Sequence, residues 1–422
     1  MHKFLTIFLA AAGLLATSAA SAQDFGNSPY SRLGLGDVNT SNGSIRSFGM
    51  GNTGVAAPNS NLLNLQNPAL LYFNNNVIFE LSVASQLKTL KEGDKSQRDG
   101  SATLYALGLG IPVSKRWTAA VGLRPYSTVK YEATSQQTVI ENPAQNTMVK
   151  YSGEGSISEV YFSHGVRLAK DLNLGATGSF LFGTINNYFA SQLVGSGFNE
   201  LVINKETVHR GFMFKSGMSY RHKVGAKKNL AIGGVYTLSS KLNADQRLMT
   251  QRPTTAGQET MHADSILDRK VTLPSGFQVG LSFDNGSNWS VNADVEGQQG
   301  SQFRTAEGNQ EFVNSMRVGF GGEYVPEPAS PKYLRRVTYR AGFTTGKTPY
   351  NINGTQLNET AVTWGFTFPL GRAMVTESYY LNMGFALGKR GTTEKQLVQE
   401  NFIRIQAGLS LNNRWFIKRQ LD

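Results

Sequence analysis

The sequence predicts an all-β protein, a transmembrane antiparallel β-barrel of about fourteen strands with an N-terminal hatch, or plug, inside it. Three observations carry that expectation. The chain opens with a cleavable export leader, polarity alternates with period two from Val77 almost to the C-terminus, and the connections between the alternating segments are short and long by turns.

The leader sets the compartment. Lys3 supplies a positive start, Phe4 to Leu15 an apolar stretch, and Ala20-Ser21-Ala22 the small residues of a cleavage site before Gln23. A membrane anchor would need a longer apolar run. Beyond Ala22 no stretch approaches the ~18 continuous apolar residues of a membrane helix, so the remainder is either soluble beyond the inner membrane or a barrel. The chain has 0 cysteines, which excludes a lipidated cysteine anchor, disulfides and thiolate chemistry. Residues 1–22 are therefore expected to be the signal peptide, 23–76 the hatch and 77–422 the barrel.

Composition agrees. Charged residues make up 17% of the chain, against roughly 25% in soluble proteins, and Gly, Phe and Tyr are abundant. In the strands, Trp289, Val291, Ala293 and Val295 alternate with Ser290, Asn292, Asp294 and Glu296, and Phe277, Val279, Leu281 and Phe283 with Gln278, Gly280, Ser282 and Asp284. Val337 to Thr344 and Ile403 to Leu411 follow the same rule. Strands are expected at about 77–86, 102–111, 117–133, 155–168, 174–190, 209–222, 230–242, 269–283, 289–297, 310–324, 337–346, 357–369, 377–389 and 398–411.

Alternation alone fits a soluble sandwich too; connection length separates the two. Pro112 to Arg116, Ala169 to Asn173, Lys223 to Asn229 and Asp284 to Asn288 are tight, whereas Leu87 to Ser101, Thr134 to Glu154, Ser191 to Val208 and Asn243 to Asp268 read as long polar loops. That is the pattern of short periplasmic turns and long external loops. Trp117 and Trp289 open strands after short turns and Trp415 follows the last strand, as an aromatic girdle requires; Trp364 sits mid-strand.

The net charge is +12, and +11 without Lys3. The short-turn side carries thirteen Lys or Arg against four Asp or Glu, a net +9. Lys227, Lys228, Arg335 and Arg336 are the expected basic patch of this periplasmic rim, facing anionic phospholipid of the outer membrane or a periplasmic or secretion-system protein. Nucleic acid is not an expected partner.

Fourteen strands enclose a lumen too wide for wall side chains alone to fill. The segment before the first strand carries only Asp24, Arg32, Asp37 and Arg46 as charges, yet holds Leu62, Leu63, Leu65, Leu70, Leu71, Tyr72 and Phe73, too apolar to remain in water. Packing inside the barrel resolves this. The run Arg46 to Ala57 (RSFGMGNTGVAA), followed by Asn67-Pro68-Ala69, resembles the hatch of the outer-membrane long-chain fatty acid transporters of FadL type. Asn67-Pro68 is equally a plain turn or helix boundary.

The resemblance implies a fourteen-stranded barrel for passive uptake of a small hydrophobic, fatty-acid-like molecule, driven by transfer of apolar surface out of water. It also implies a third strand bent inward as a lateral exit. Gly122 and Pro125 are the candidates, since a proline inside a strand deletes a ladder bond; a bulge is the plainer reading. The Gly-Met-Gly run and later Asn-Pro-Ala are also similar to PorV-like barrels of type IX secretion, which bind proteins. The polar lead from Gln23 to Ile45 departs from the fatty acid family, and no fatty-acid-contacting residue is matched. Uptake implies an apolar pocket in the lumen; the interaction reading implies a sealed one.

Catalysis is not expected. His164, His209, His222 and His262 are scattered, no nucleophile elbow or zinc spacing occurs, and Ser163 and His164 face opposite sides of a strand. Asp284 reads as a turn residue, Asp294 as a lumen charge, and Gly319, Gly321 and Gly322 beside Arg317 as a smooth lumen stripe, since no helix follows to make a phosphate loop. No metal or cofactor is expected.

Overall fold

A computed structural model describes residues 27–39, 44–139, 142–194, 200–225, 227–254, 257–309, 312–370 and 377–413. The leader and Trp415 lie outside them. The wall consists of β2 (Val77–Glu92), β3 (Lys95–Ser114), β4 (Trp117–Val139), β5 (Asn142–Arg167), β6 (Leu172–Leu193), β7 (Leu201–Lys223), β8 (Asn229–Thr237), β9 (Ser240–Thr254), β10 (Gly257–Leu273), β11 (Gly276–Asp284), β12 (Trp289–Gln298), β13 (Ser315–Tyr324), β14 (Thr338–Ile352), β15 (Thr355–Leu370), β16 (Glu377–Arg390) and β17 (Gln399–Asn413). β8 and β9 both pair with β7, and β10 and β11 continue one another opposite them, so these sixteen segments form fourteen staves. β17 pairs with β2, Leu411 opposite Phe79, and closes the antiparallel ring.

Exposure inverts the pattern of a soluble protein. On β12, Val291 is 60% and Val295 37% exposed, while Ser290, Asn292 and Asp294 are at most 7% exposed. β7 does the same, with Phe212 and Phe214 outward and Lys215 and Ser219 inward. An apolar exterior around a polar interior is stable only when hydrocarbon replaces water outside.

The expected long loops are a correction. Residues 87–101, 134–154, 191–208 and 243–268 are largely paired strand: Glu92 meets Lys95, Thr138 meets Asn146, and Arg252 meets Glu259 with a 2.8 Å ion pair. The strand expected from 310 begins at Ser315; 299–309 and 312–314 belong to the connection at that end. At the opposite end 325–336 is no tight turn but folds back, Glu327 N–H donating to the Arg335 carbonyl at 2.8 Å, and ends in the short helix Tyr333–Arg336.

The wall is not uniformly paired. β3 and β4 share a ladder only up to Leu107 and Leu123; beyond that, β3 pairs with β2 alone while β4 continues with β5. The freed edge of β4 is taken by the two-residue β1 (Asp37–Val38), Asp37 opposite Thr128, and by Ser28 N–H donating to the Lys130 carbonyl at 2.8 Å.

Candidate functional site: the lumen, its hatch and a charged chamber

Residues 44–76 cross the inside of the ring at the end of the short turns. Their backbone meets the wall through glycines that leave no room for a side chain. A Cβ on Gly49 would lie 3.2 Å from the Gly365 Cα, and Cβ atoms on Gly321, Gly342, Gly233 and Gly175 would overlap Met50, Val55 and Ala69. Gly319 and Gly321 do form the inward stripe, whereas Gly322 faces outward, as strand alternation dictates. Leu62, Leu63, Leu70 and Leu71 are buried here, each stabilising by about 1.5–3 kcal/mol.

Polar ties fix the segment. Arg46 Nη2 donates to Glu323 Oε1 at 2.6 Å and Nη1 to the Ala57 carbonyl at 2.9 Å. Arg340 Nε donates to the same glutamate at 3.1 Å, and from Arg340 a hydrogen-bonded chain runs through Thr367, Asn382 and Ser410 to Glu80 on β2. Glu80 in turn accepts the Leu63 N–H at 3.0 Å, so the relay begins and ends on the hatch. Across the lumen Asp294 accepts the Gly54 and Val55 amides at 2.8 and 3.0 Å.

Asn67 caps the 3-10 turn Pro68–Phe73 by accepting the Ala69 N–H at 3.0 Å, and its amide donates to the carbonyls of Val55 (2.7 Å) and Met218 (3.0 Å). The motif is thus a helix start and a tie to the wall at once. Proline at the first position costs nothing there, because that N–H has no partner within the turn.

A second layer lies toward the hairpin end. Residues 27–39 run beside β4, and Tyr30 and Leu35 join Val129, Ile157, Leu181, Phe303, Phe312 and Tyr350 in an apolar cluster. Arg390 fixes this layer, donating to both oxygens of Asp37 at 2.9 and 3.0 Å and pairing with Glu400 at 2.6 Å, with Lys88 3.7 and 3.6 Å from the same two acids. Burial alone would raise the Asp37 carboxyl; Arg390 and Lys88 outweigh it and hold it below the usual carboxylate range.

Between the layers is a chamber of about 370 Å³. The uptake expectation of an apolar pocket meets a mixed lining instead. Leu35, Leu273, Phe303 and Phe312 line it together with three ion pairs: Arg124–Glu159 (2.8 Å), Arg404–Glu359 (3.0 Å) and Arg317–Glu296. None of these pairs was legible in the sequence, since the partners lie on separate strands. The one hint was that so few charges stand in the hatch, and two of them, Asp37 and Arg46, bind the wall.

Gly122 and Pro125 sit where the β3–β4 ladder ends. Gly122 pairs with Gly108, just before the last rung at Leu123, and a bulge follows between Pro125 and Ser127. Pro125 also lines the chamber. Lys228 lies over the Phe283 ring near the short-turn rim with Lys227 beside it. Arg335 and Arg336 stand on the separate 325–336 fold, Arg335 paired with Glu327 at 3.0 Å.

Ser163 points inward to Thr177 and His164 outward to Trp117, whose Nε1 donates to its Nδ1 at 3.0 Å. Asp284 closes its turn by accepting the Gly286 N–H at 2.6 Å. Among the described residues no group of three or more His, Asp or Glu is placed to hold a metal.

A fourteen-stave barrel crossed by its own N-terminal segment is the architecture of FadL-type outer-membrane proteins. The toluene transporter TodX of Pseudomonas putida superposes with a TM-score of 0.59 at 15% identity, over 87% of this chain and 97% of that one. The monoaromatic hydrocarbon channel CymD gives 0.58 at 13%, over 90% and 99%, and a FadL homologue of Pseudomonas aeruginosa 0.57 at 12%, over 88% and 98%. These likenesses are of fold, and the proteins concerned are described as channels or transporters or, in the last case, as a FadL homologue. The chain itself belongs to the family described as BamG, whose profile matches residues 1–422. No curated protein matches the sequence.

Proposed function

We propose that this chain is an outer-membrane barrel, held closed by residues 27–39 and 44–76, that works by binding a protein partner in secretion or assembly. The observation that carries this reading is the double tie of the hatch, Arg46 to Glu323 in one layer and Asp37 to Arg390 in the other. Opening the lumen would strand buried charges in both layers. The chamber between them is lined in part by ion-paired arginines and glutamates, whose remaining solvation an apolar compound would displace without replacing. The leader and the apolar belt support outer-membrane residence, with lipid as the partner of the belt. Lys227, Lys228, Arg335 and Arg336 are the candidate contacts on the periplasmic side.

Native mass spectrometry of the detergent-extracted protein from its own membrane tests this. A protein partner in fixed stoichiometry, lost when the four basic residues are reversed to glutamate, supports the reading. A bare barrel carrying only small-molecule adducts sinks it.

A second reading, uptake of a small hydrophobic compound with lateral exit, is favoured by one observation, the split between β3 and β4 at Gly122 and Pro125 beside the chamber. Hydrophobic uptake into proteoliposomes that stops when β3 and β4 are bridged by a disulfide above Leu107 would favour it.

A further inference from the structure

Apart from the exposed Lys347, the charges that line the chamber balance except at one place. Arg124, Arg317 and Arg404 each hold a glutamate, and Lys88 and Arg390 share Asp37 with Glu400. Lys130 reaches Glu154 at 3.4 Å, and Lys347 is exposed. Lys215, on β7, is 9% exposed and faces the chamber, and its side chain has no hydrogen bond or ion pair among the described residues.

Its electrostatic neighbours are Arg124, Glu159 and Glu296. Both glutamates are already committed to arginines, so the group formed by Lys215, Arg124, Arg317, Glu159 and Glu296 carries one uncompensated positive charge. A buried, unpaired ammonium is costly. From this charge balance and the place of Lys215 on the chamber wall, we infer that the chamber is a binding site for a small hydrophilic monoanion, of halide or short-carboxylate class. Size and charge follow from the surroundings. One missing charge calls for a monoanion, and Arg124, Glu159 and Glu296 are polar neighbours for a small hydrophilic one, while Met213, two residues along the same face, begins the apolar cluster that a long chain would need.

The test uses the full-length purified protein and bromide as the probe. Anomalous diffraction from bromide-soaked crystals is expected to place one ion against Lys215 Nζ, displaced by formate, absent in Lys215→Met and retained in Lys215→Arg. In solution, sodium bromide is expected to raise Tm relative to sodium gluconate at equal ionic strength in the native protein, with that difference lost in Lys215→Met. No ion at Lys215, an ion that survives in Lys215→Met, or occupancy by dodecanoate alone would overturn the assignment. The crystals of Lys215→Met also show whether the barrel has folded.

Discussion

Removing Glu323 is the sharpest perturbation of the hatch. Its carboxylate is shared by Arg46 (2.6 Å) and Arg340 (3.1 Å), whose side chains are 3% and 2% exposed. Glu323→Ala leaves both guanidiniums buried without their acid, a loss that costs about 3–5 kcal/mol when one partner of a buried pair is removed. The wall itself is spared, because the β13 ladder to β12 and β14 is made by backbone. The cost therefore falls on hatch opening, which is expected to become roughly 10²- to 4 × 10³-fold more frequent. Native-state hydrogen exchange of the Gly49 to Val55 amides reads this directly. Arg46→Met in the same molecule removes one stranded cation and is expected to recover part of the protection. Unchanged exchange in Glu323→Ala would refute the idea that this ion pair holds the hatch.

Three further outcomes follow from the same geometry. Gly342→Leu places a side chain where the Met50 backbone lies, so Gly49 to Val55 are expected to lose exchange protection while the heat-modifiable barrel survives on gels. Phe212 is 62% exposed on the outer face, and Phe212→Arg is expected to cost about 2–4 kcal/mol in urea unfolding from phospholipid vesicles, whereas the inward Ser179→Ala shows no such lipid dependence. Asp37 is held below the usual carboxylate range by Arg390 and Lys88, so its contribution is complete above roughly pH 4 and is lost only as pH falls below that. Exchange of the Ser28 and Gly36 amides, corrected for intrinsic rates, is then equal at pH 7 and pH 5 and accelerates in stronger acid.

The parts of the fold that were readable are those where each face of a strand meets a different solvent. Val291 against Asn292, or Ile403 against Arg404, declare a strand because lipid lies on one side and the lumen on the other. Beyond the apolar belt both faces are wet and the alternation fades, which is why the paired segments 87–101 and 243–268 read as loops. The interruption at Leu238 and Ser239 leaves no mark, since the pairing that defines it comes from β7 and β11. The hatch was legible as apolar surface needing cover, and Asn67-Pro68 as a capped turn. The ties were not: Arg46 and Glu323 are 277 positions apart, and only the closed ring brings them together. Lys215 looked like any strand lysine until the charges around it were paired off.

Planar-bilayer recording puts the closed lumen to the most direct test. Reconstituted native protein is expected to conduct no measurable current, and a variant lacking residues 45–73 to open a steady, large pore. Steady conductance from the native barrel would contradict the account.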